Sequence, residues 1–327
     1  MPTRAASLRL RMVAAILGLL VVTVGLLAGV WVVFYALFAV AESSLAPQIA
    51  FIVTAGVLLT IGYLEYTHIG TVERLADAHP VDRETAPDLY ETTTRVAAQL
   101  DVPVPTIAVS ERETPEALTV GFRPDSVHLI LSLGTIESLE PAELEAVIAH
   151  ELAHVKNRDT MVMTVVSLPI VLADGIRSRI TAIERPGWTI VIIVPLAALS
   201  AVIWVVGRTI AAHLSRAREV AADRAAAEVT GSPAALADAL AKLDHHISET
   251  PARDLREVSG VSSLSILPLE PAELEKVMLG PEGETEPAYW ELRRRLHRLE
   301  RWLFGSHPST EDRIAALRDR QREVEAR

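Results

Sequence analysis

His150-Glu151-Leu152-Ala153-His154 gathers two imidazoles and a carboxylate into five residues. On an α-helix, side chains four positions apart differ by only ~40° around the axis, so both imidazoles face the same way. Two neutral imidazoles on one face suit a zinc ion, and a glutamate between them can accept a proton from zinc-activated water. A catalytic zinc takes three protein ligands and leaves one position to water, so a further ligand is required. The chain has no cysteine, which excludes disulfides, thiolate ligands and cysteine nucleophiles together. The missing ligand must therefore be His, Asp or Glu.

Three residues compete for that place. Asp174 follows His154 by twenty residues but closes an apolar segment. His213 has no second polar partner nearby in sequence. Glu219 is followed four residues later by Asp223, so the two carboxylates share a helix face. One can ligate while the other accepts the outer N–H of a ligating histidine and fixes its tautomer. Spacing favours Glu219, although the flanking Arg216, Arg218 and Arg224 also fit an ordinary solvated helix face.

The elements that must carry these residues are partly embedded in lipid. Met12–Ala41 is thirty residues without a charge and Ser43–Leu64 another twenty-two, each long enough to cross a hydrocarbon layer of ~30 Å as a helix. The first is too long for a secretory h-region and has no cleavage site behind it, so it is read as a retained span. Arg4, Arg9 and Arg11 precede it, whereas the link between the two spans offers only Glu42. This predicts a cytoplasmic N-terminus and a chain that returns to the cytoplasm near Glu65. Thr160–Ala173 and Trp188–Gly207 form a second apolar pair of fourteen and twenty residues. Arg177, Arg179 and Arg185 lie between them, against the positive-inside bias, so this hairpin either crosses or dips into the membrane; the length of its second arm favours crossing. Both versions leave the residues before 160 and after 207 on one side.

Residues 67–159 and 208–327 then read as two parts of one cytoplasmic domain, with 1–66 the N-terminal spans and 160–207 the membrane hairpin. Leu89–Leu100 has helical spacing, ended by Pro103 and Pro105. Thr106–Ser110, Val127–Leu131 and Val120–Phe122 read as short strands. Pro141 suits the first turn of the metal helix, with Glu143 and Glu145 near its positive end. Leu144, Ile148, Leu152 and Val155 predict an apolar back on that helix, separate from a metal-bearing front. Arg208–Thr230 reads as a helix of its own, stopped by Gly231, and Ser232-Pro233 opens the next. Residues 269–287 look like an exposed acidic loop. Tyr289–Leu303 is a basic amphipathic helix with Leu292, Leu296, Leu299 and Leu303 as its stripe, read as packed on the domain in preference to lying on the membrane.

The run from Ala146 through His150 and His154 to Asn157-Arg158-Asp159, followed by Arg218-Glu219 and Asp223, resembles the HtpX family of membrane zinc metalloproteases, relatives of the CAAX prenyl proteases. Phe304-Gly-Ser-His307-Pro308 with Arg313 resembles the closing motif of that family, and the likeness runs to about Leu317. The resemblance implies a mainly α fold with a small β-sheet, and a zincin-like (gluzincin) cytoplasmic peptidase domain on a multi-pass membrane protein. It implies one zinc ion per chain held by His150, His154 and Glu219, with Glu151 as catalytic base and Asp223 behind the ligands. It also implies that His307 and Arg313 approach the site, where His307 could donate to the tetrahedral oxyanion. One departure is visible: Glu116-Ala-Leu-Thr-Val-Gly121 stands where the family often has an Asn-Ala-Phe-Ala-Thr-Gly-like strand that pairs with substrate backbone.

The expected activity is hydrolysis of peptide bonds in membrane or misfolded proteins at the cytoplasmic face of the cell membrane. Protein substrates and the lipid bilayer are the expected partners, and the net charge of −11 argues against nucleic acid. Two other readings compete: a chaperone or scaffold with a structural metal, in which Glu151 would be dispensable, and an intramembrane site-2-type protease using Asp174-Gly175. The charges around His150 (Glu143, Glu145, Lys156, Arg158, Asp159) count against the latter.

Overall fold

The computed structural model describes residues 2–40, 44–69, 78–121, 127–183, 187–249, 266 and 289–326. The chain divides into two compact units, each assembled from two separate stretches: 1–71 with 162–217, and 72–161 with 218–327. The first unit is helical. Helices α1 (Pro2–Val40) and α2 (Ala46–Ile69) precede the four strands. Val22, Leu26 and Val30 of α1 and Leu58 and Ile61 of α2 are buried in one cluster with Leu172, Ala173 and Ile176, and with Ile203. The opposite faces are equally apolar yet exposed, with Val21 71% and Leu59 74% accessible. Helices apolar on every side belong in lipid. Val13–Val40, Asp159–Thr181 and Gly187–Thr230 are long and apolar enough to cross a membrane, and Ala46–Ile61 is a shorter apolar helix.

The second unit is built on a four-stranded sheet of β1 (Ala78–Pro80), β2 (Thr106–Ser110), β3 (Ala117–Val120) and β4 (His128–Ser132), in the order β1-β2-β4-β3. Strands β2 and β4 run parallel, with Thr106 opposite His128 and Ser110 opposite Ser132, and the outer two strands are antiparallel to their neighbours. The third strand begins at Ala117, three residues earlier than expected from sequence, and Phe122 lies outside the described residues. Around the sheet stand α3 (Pro87–Leu100), α4 (Leu133–Ser138) and α5 (Pro141–Lys156). Val96, Leu100, Ile107, Leu129, Leu131, Ile148, Leu152, Leu236, Leu240 and Leu317 close one core among them. The acidic stretch 269–287 lies outside the described residues.

Three sequence expectations need correction. Thr160–Ala173 is not a short segment: α6 runs Asp159–Thr181 for 23 residues, continuing through Asp174 and Gly175 in spite of their weak helix propensity, with Ile176 buried among the apolar helices. Arg208–Thr230 is not separate either, since α7 spans Ile190–Thr230 for 41 residues without a break at Gly207. A side chain at Gly207 would bring Cβ to 2.9 Å from Ile170 Cγ1, so this glycine serves close helix packing. Helix α7 does end before Gly231, whose φ of +66° suits a glycine after a helix, and α8 (Pro233–Glu249) follows. Finally, α9 (Trp290–Phe304) buries none of its residues fully, and its leucine stripe is exposed at Leu292, Leu296 and Leu299 and half-buried only at Leu303, so most of it is not packed on the domain. The last helix, α10 (Thr310–Glu325), starts at Ser309, whose hydroxyl accepts from the Asp312 N–H.

Candidate metal centre

Helix α5 starts cleanly. Pro141 occupies its first turn, and Glu143 Oε2 accepts from the Glu140 N–H at 2.8 Å, while Lys242 Nζ sits 2.7 Å from the other Glu143 oxygen. Glu145 pairs instead with Arg95 of α3 at 3.0 Å. From Ala146 to Ala153 every residue is buried, so the expected division into an apolar back and a metal-bearing front does not hold. Strand β3 packs against one side of the helix and α3 and α8 against others. Burial all round is tolerable because the polar residues within it, His150 and Glu151, find polar neighbours.

His150 Nε2 and His154 Nε2 lie 3.2 Å apart, as the four-residue spacing requires. Glu219 on α7 approaches both, with Oε2 3.5 Å from His150 Nε2 and Oε1 3.6 Å from His154 Nε2. Among the described residues these three form the one group of histidine and acidic side chains able to share an ion, with donor atoms within 4.8 Å of one another. A tetrahedral zinc with ligands at ~2.0–2.1 Å needs donors roughly 3.3–3.4 Å apart; the two histidines meet this, while Glu219 meets each of them with a different oxygen, so that one donor atom from each residue lies within 4.8 Å of the others. Glu219 Oε2 is buried without a hydrogen-bond partner, a costly state that a cation would relieve. The residues present therefore fit the metal. The rival candidates lie elsewhere: Asp174 is half-buried and pairs with Arg177 at 2.8 Å, and His213 is exposed with Nδ1 2.9 Å from the Thr209 carbonyl.

Each ligand is held from behind. His150 Nδ1 is 3.0 Å from Asp223 Oδ1. Arg313 of α10 grips Asp223 with two bonds, Nε to Oδ2 at 2.9 Å and Nη2 to Oδ1 at 2.7 Å. Its third nitrogen, Nη1, donates to the Ile266 carbonyl at 2.6 Å and lies 3.6 Å from Glu219 Oε2. On the other histidine, Nδ1 of His154 is 2.6 Å from Asp159 Oδ2, which also faces Arg218 Nε at 3.1 Å. His307 is buried with Nδ1 3.4 Å from Glu219 Oε2, and neither of its ring nitrogens has a hydrogen-bond partner.

Asp159 was missed as a partner of His154 from sequence. Helix α5 ends at Lys156, and Arg158 then takes a left-handed φ of +55°, which turns the chain back so that Asp159 faces the helix it has just left. The Asn-Arg-Asp end of the run was the available signal, but the reversal at a non-glycine residue could not be read from it. Thr119 was also missed. Its Oγ1 lies 3.4 Å from Glu151 Oε2 across the gap between β3 and α5.

Burial dominates the electrostatics. It pushes the Glu151 carboxyl up to about 8, against opposition from the neighbouring His150. For His150 burial acts downward, but the carboxylates of Asp223 and Glu219 outweigh it and hold the pKa at about 9 before any metal binds. Burial lowers His154, with Asp159 opposing. Arg313 is raised: its own burial disfavours the charge, and Asp223 and Glu219 more than restore it. Glu116, at the departure from the family strand, is buried and raised by that burial, and Arg112 Nη1 offsets it from 3.2 Å.

Residues 83–321 match the model of peptidase family M48. "Protease HtpX homolog 2" of Methanosarcina acetivorans is 31% identical over 320 residues, 94% of this chain and 96% of that protein. "Protease HtpX homolog 1" of Streptomyces coelicolor is 39% identical over 193 residues, 58% of this chain and 64% of that protein. Among solved structures, the S. mikatae Ste24p crystal structure aligns with a TM-score of 0.49 and 16% identity, covering 80% of this chain and 58% of that one.

Proposed function

Because the chain belongs to peptidase family M48, we propose that it is a membrane-anchored zinc metalloendopeptidase. The observation that carries this is the meeting of His150, His154 and Glu219 donor atoms within 4.8 Å, with the Glu151 carboxylate buried beside them. His150, His154 and Glu219 hold one zinc ion per chain, which when bound supplies the Lewis acidity that activates water and polarises a scissile carbonyl. Glu151 takes a proton from the attacking water on its carboxylate and returns it to the leaving amine nitrogen. Thr119 Oγ1, 3.4 Å from Glu151 Oε2, orients that carboxylate. Asp223 and Asp159 face the outer nitrogens of His150 and His154 and keep each inner nitrogen free to ligate. Arg313 fixes Asp223 from behind. His307, with unpartnered ring nitrogens beside Glu219, donates to the oxyanion.

In this reading the chain is a multi-pass protein of the cell membrane, with residues 1–66 and 160–207 as its spans and 67–159 and 208–327 as its peptidase domain, a reading that the long apolar helices support. Arg4, Arg9 and Arg11 ahead of the first span support a cytoplasmic N-terminus, and with it a cytoplasmic active site and C-terminus. Protein segments emerging from the bilayer, or misfolded there, are the substrates, which places the enzyme in protein quality control. The test is zinc content and cleavage of an unfolded protein by purified wild type and Glu151→Gln. Retained zinc with cleavage reduced by ~10²–10⁴ is expected, and retained zinc with unchanged cleavage would overturn the mechanism in favour of a structural metal.

A further inference from the structure

Helix α9 is turned the wrong way round for a soluble domain. Trp290, His297 and Phe304, spaced seven residues apart, are half-buried and form an inner line, and Leu303 at the C-terminal end is the one leucine of the stripe that is half-buried too. Leu292, Leu296 and Leu299 lie roughly 80–160° around the axis from that line and are 54%, 54% and 50% exposed. Trp302, on the flank of the stripe, is 71% exposed. The helix carries five arginines (293, 294, 295, 298 and 301) against two glutamates, in a chain whose net charge is −11. Arg293 and Arg295 border the leucines on either side, where long basic side chains can reach back to headgroups while the stripe is immersed. A leucine stripe, a tryptophan at its edge and arginine flanks are what an interfacial helix requires. The occupant is also at hand: this chain carries its own membrane-crossing helices, and α7 runs unbroken from an apolar segment into the domain that bears α9.

We propose that α9 is a membrane-surface element whose Leu292, Leu296, Leu299 and Trp302 face docks on an anionic lipid headgroup layer. Apolar burial supplies the depth of insertion, and the arginines supply a preference for anionic lipid that salt weakens. Docking of this helix is independent of the metal site, so its test does not read catalysis.

The absence of cysteine permits single-site labelling of the full-length protein. Leu296→Cys, Leu299→Cys and, on the opposite face, Arg294→Cys would each carry an environment-sensitive fluorophore. The labelled proteins would be reconstituted into vesicles of phosphatidylcholine alone or with about one-third phosphatidylglycerol. With anionic lipid present, quenching by doxyl-labelled lipid should be at least threefold stronger at 296 and 299 than at 294. That difference should fall at least twofold in pure phosphatidylcholine or in an Arg293/Arg295→Gln background. Iodide quenching at 296 and 299 as strong as at 294 would overturn the proposal. So would shielding from both quenchers accompanied by energy transfer between labelled copies, which would make the stripe a contact between two chains.

Discussion

Asp223→Asn isolates what the carboxylate behind a ligand contributes. Asp223 Oδ1 stands 3.0 Å from His150 Nδ1, and Arg313 holds the same carboxylate with bonds of 2.7 and 2.9 Å. Asparagine keeps the size and one acceptor oxygen but removes the charge that makes the imidazole a stronger donor to metal. It also spares the fold the larger cost of leaving Arg313 with no acceptor, which alanine would impose. Partners of this kind tune metal affinity by ~10–100-fold, or about 1.4–2.7 kcal/mol. The lower half of that range is expected, because the neutral amide still accepts from His150 or Arg313. Zinc dissociation constants of purified wild type and variant, measured by competition with a chromogenic chelator at pH 7, would give the ratio. A ratio within twofold of unity, in protein that unfolds at the wild-type temperature, would refute the idea that Asp223 acts through His150.

Asp159→Asn should weaken zinc binding through His154 by a similar ~10–100-fold in the same competition assay, and an unchanged affinity would leave Asp159 a purely structural residue. Zinc affinity should climb with pH up to about 9, because the metal must displace the proton that Asp223 and Glu219 help His150 retain; proton release on zinc addition, followed with an indicator dye, checks this. In metal-free protein His150 is raised from 6.5 to about 9 and Glu151 from 4.5 to about 8, so both contribute stability at low pH that is lost as pH rises through those values. His154 is lowered and therefore acts only below its ordinary 6.5. Thermal unfolding of the metal-free form should accordingly move to lower temperature between pH 6.5 and 9, with little such movement once zinc is bound. Gly134→Ala would set Cβ 1.7 Å from the Glu113 carbonyl oxygen, so the backbone must shift at a cost of ~1–3 kcal/mol, read as a lower unfolding temperature.

Local periodicity made much of this legible. Histidines four apart must share a helix face, and the observed 3.2 Å between their inner nitrogens follows from that spacing. Charge-free runs announced the apolar helices for the same reason, since length and hydrophobicity are properties of consecutive residues. The expectations that failed involved more than one element. The leucines around His150 lie to one side and suggest a two-faced helix, yet its middle from Ala146 to Ala153 is buried on every side, with strand β3 and helices α3 and α8 among its neighbours. Amphipathic helices usually turn their apolar face inward, but in α9 Leu292, Leu296 and Leu299 are exposed and only Leu303 of the stripe is half-buried.

The five residues from His150 to His154 determined by themselves that two imidazoles and a carboxylate would stand together, because a helix repeats on the scale of that spacing. They did not determine how the site is closed. Glu219 comes from sixty-five residues beyond His154 and Arg313 from ninety beyond Asp223, distances over which sequence carries no geometric rule. Only the tertiary arrangement that sets Glu219 and Asp223 of α7 against the histidines of α5, and packs α10 on α8 so that Arg313 reaches Asp223, brings their charges into one buried cluster. The turn at Arg158 decides in the same way that Asp159 faces His154. Burial then sets the chemistry, since a carboxylate reaches a pKa of about 8 only where the surrounding fold has excluded water.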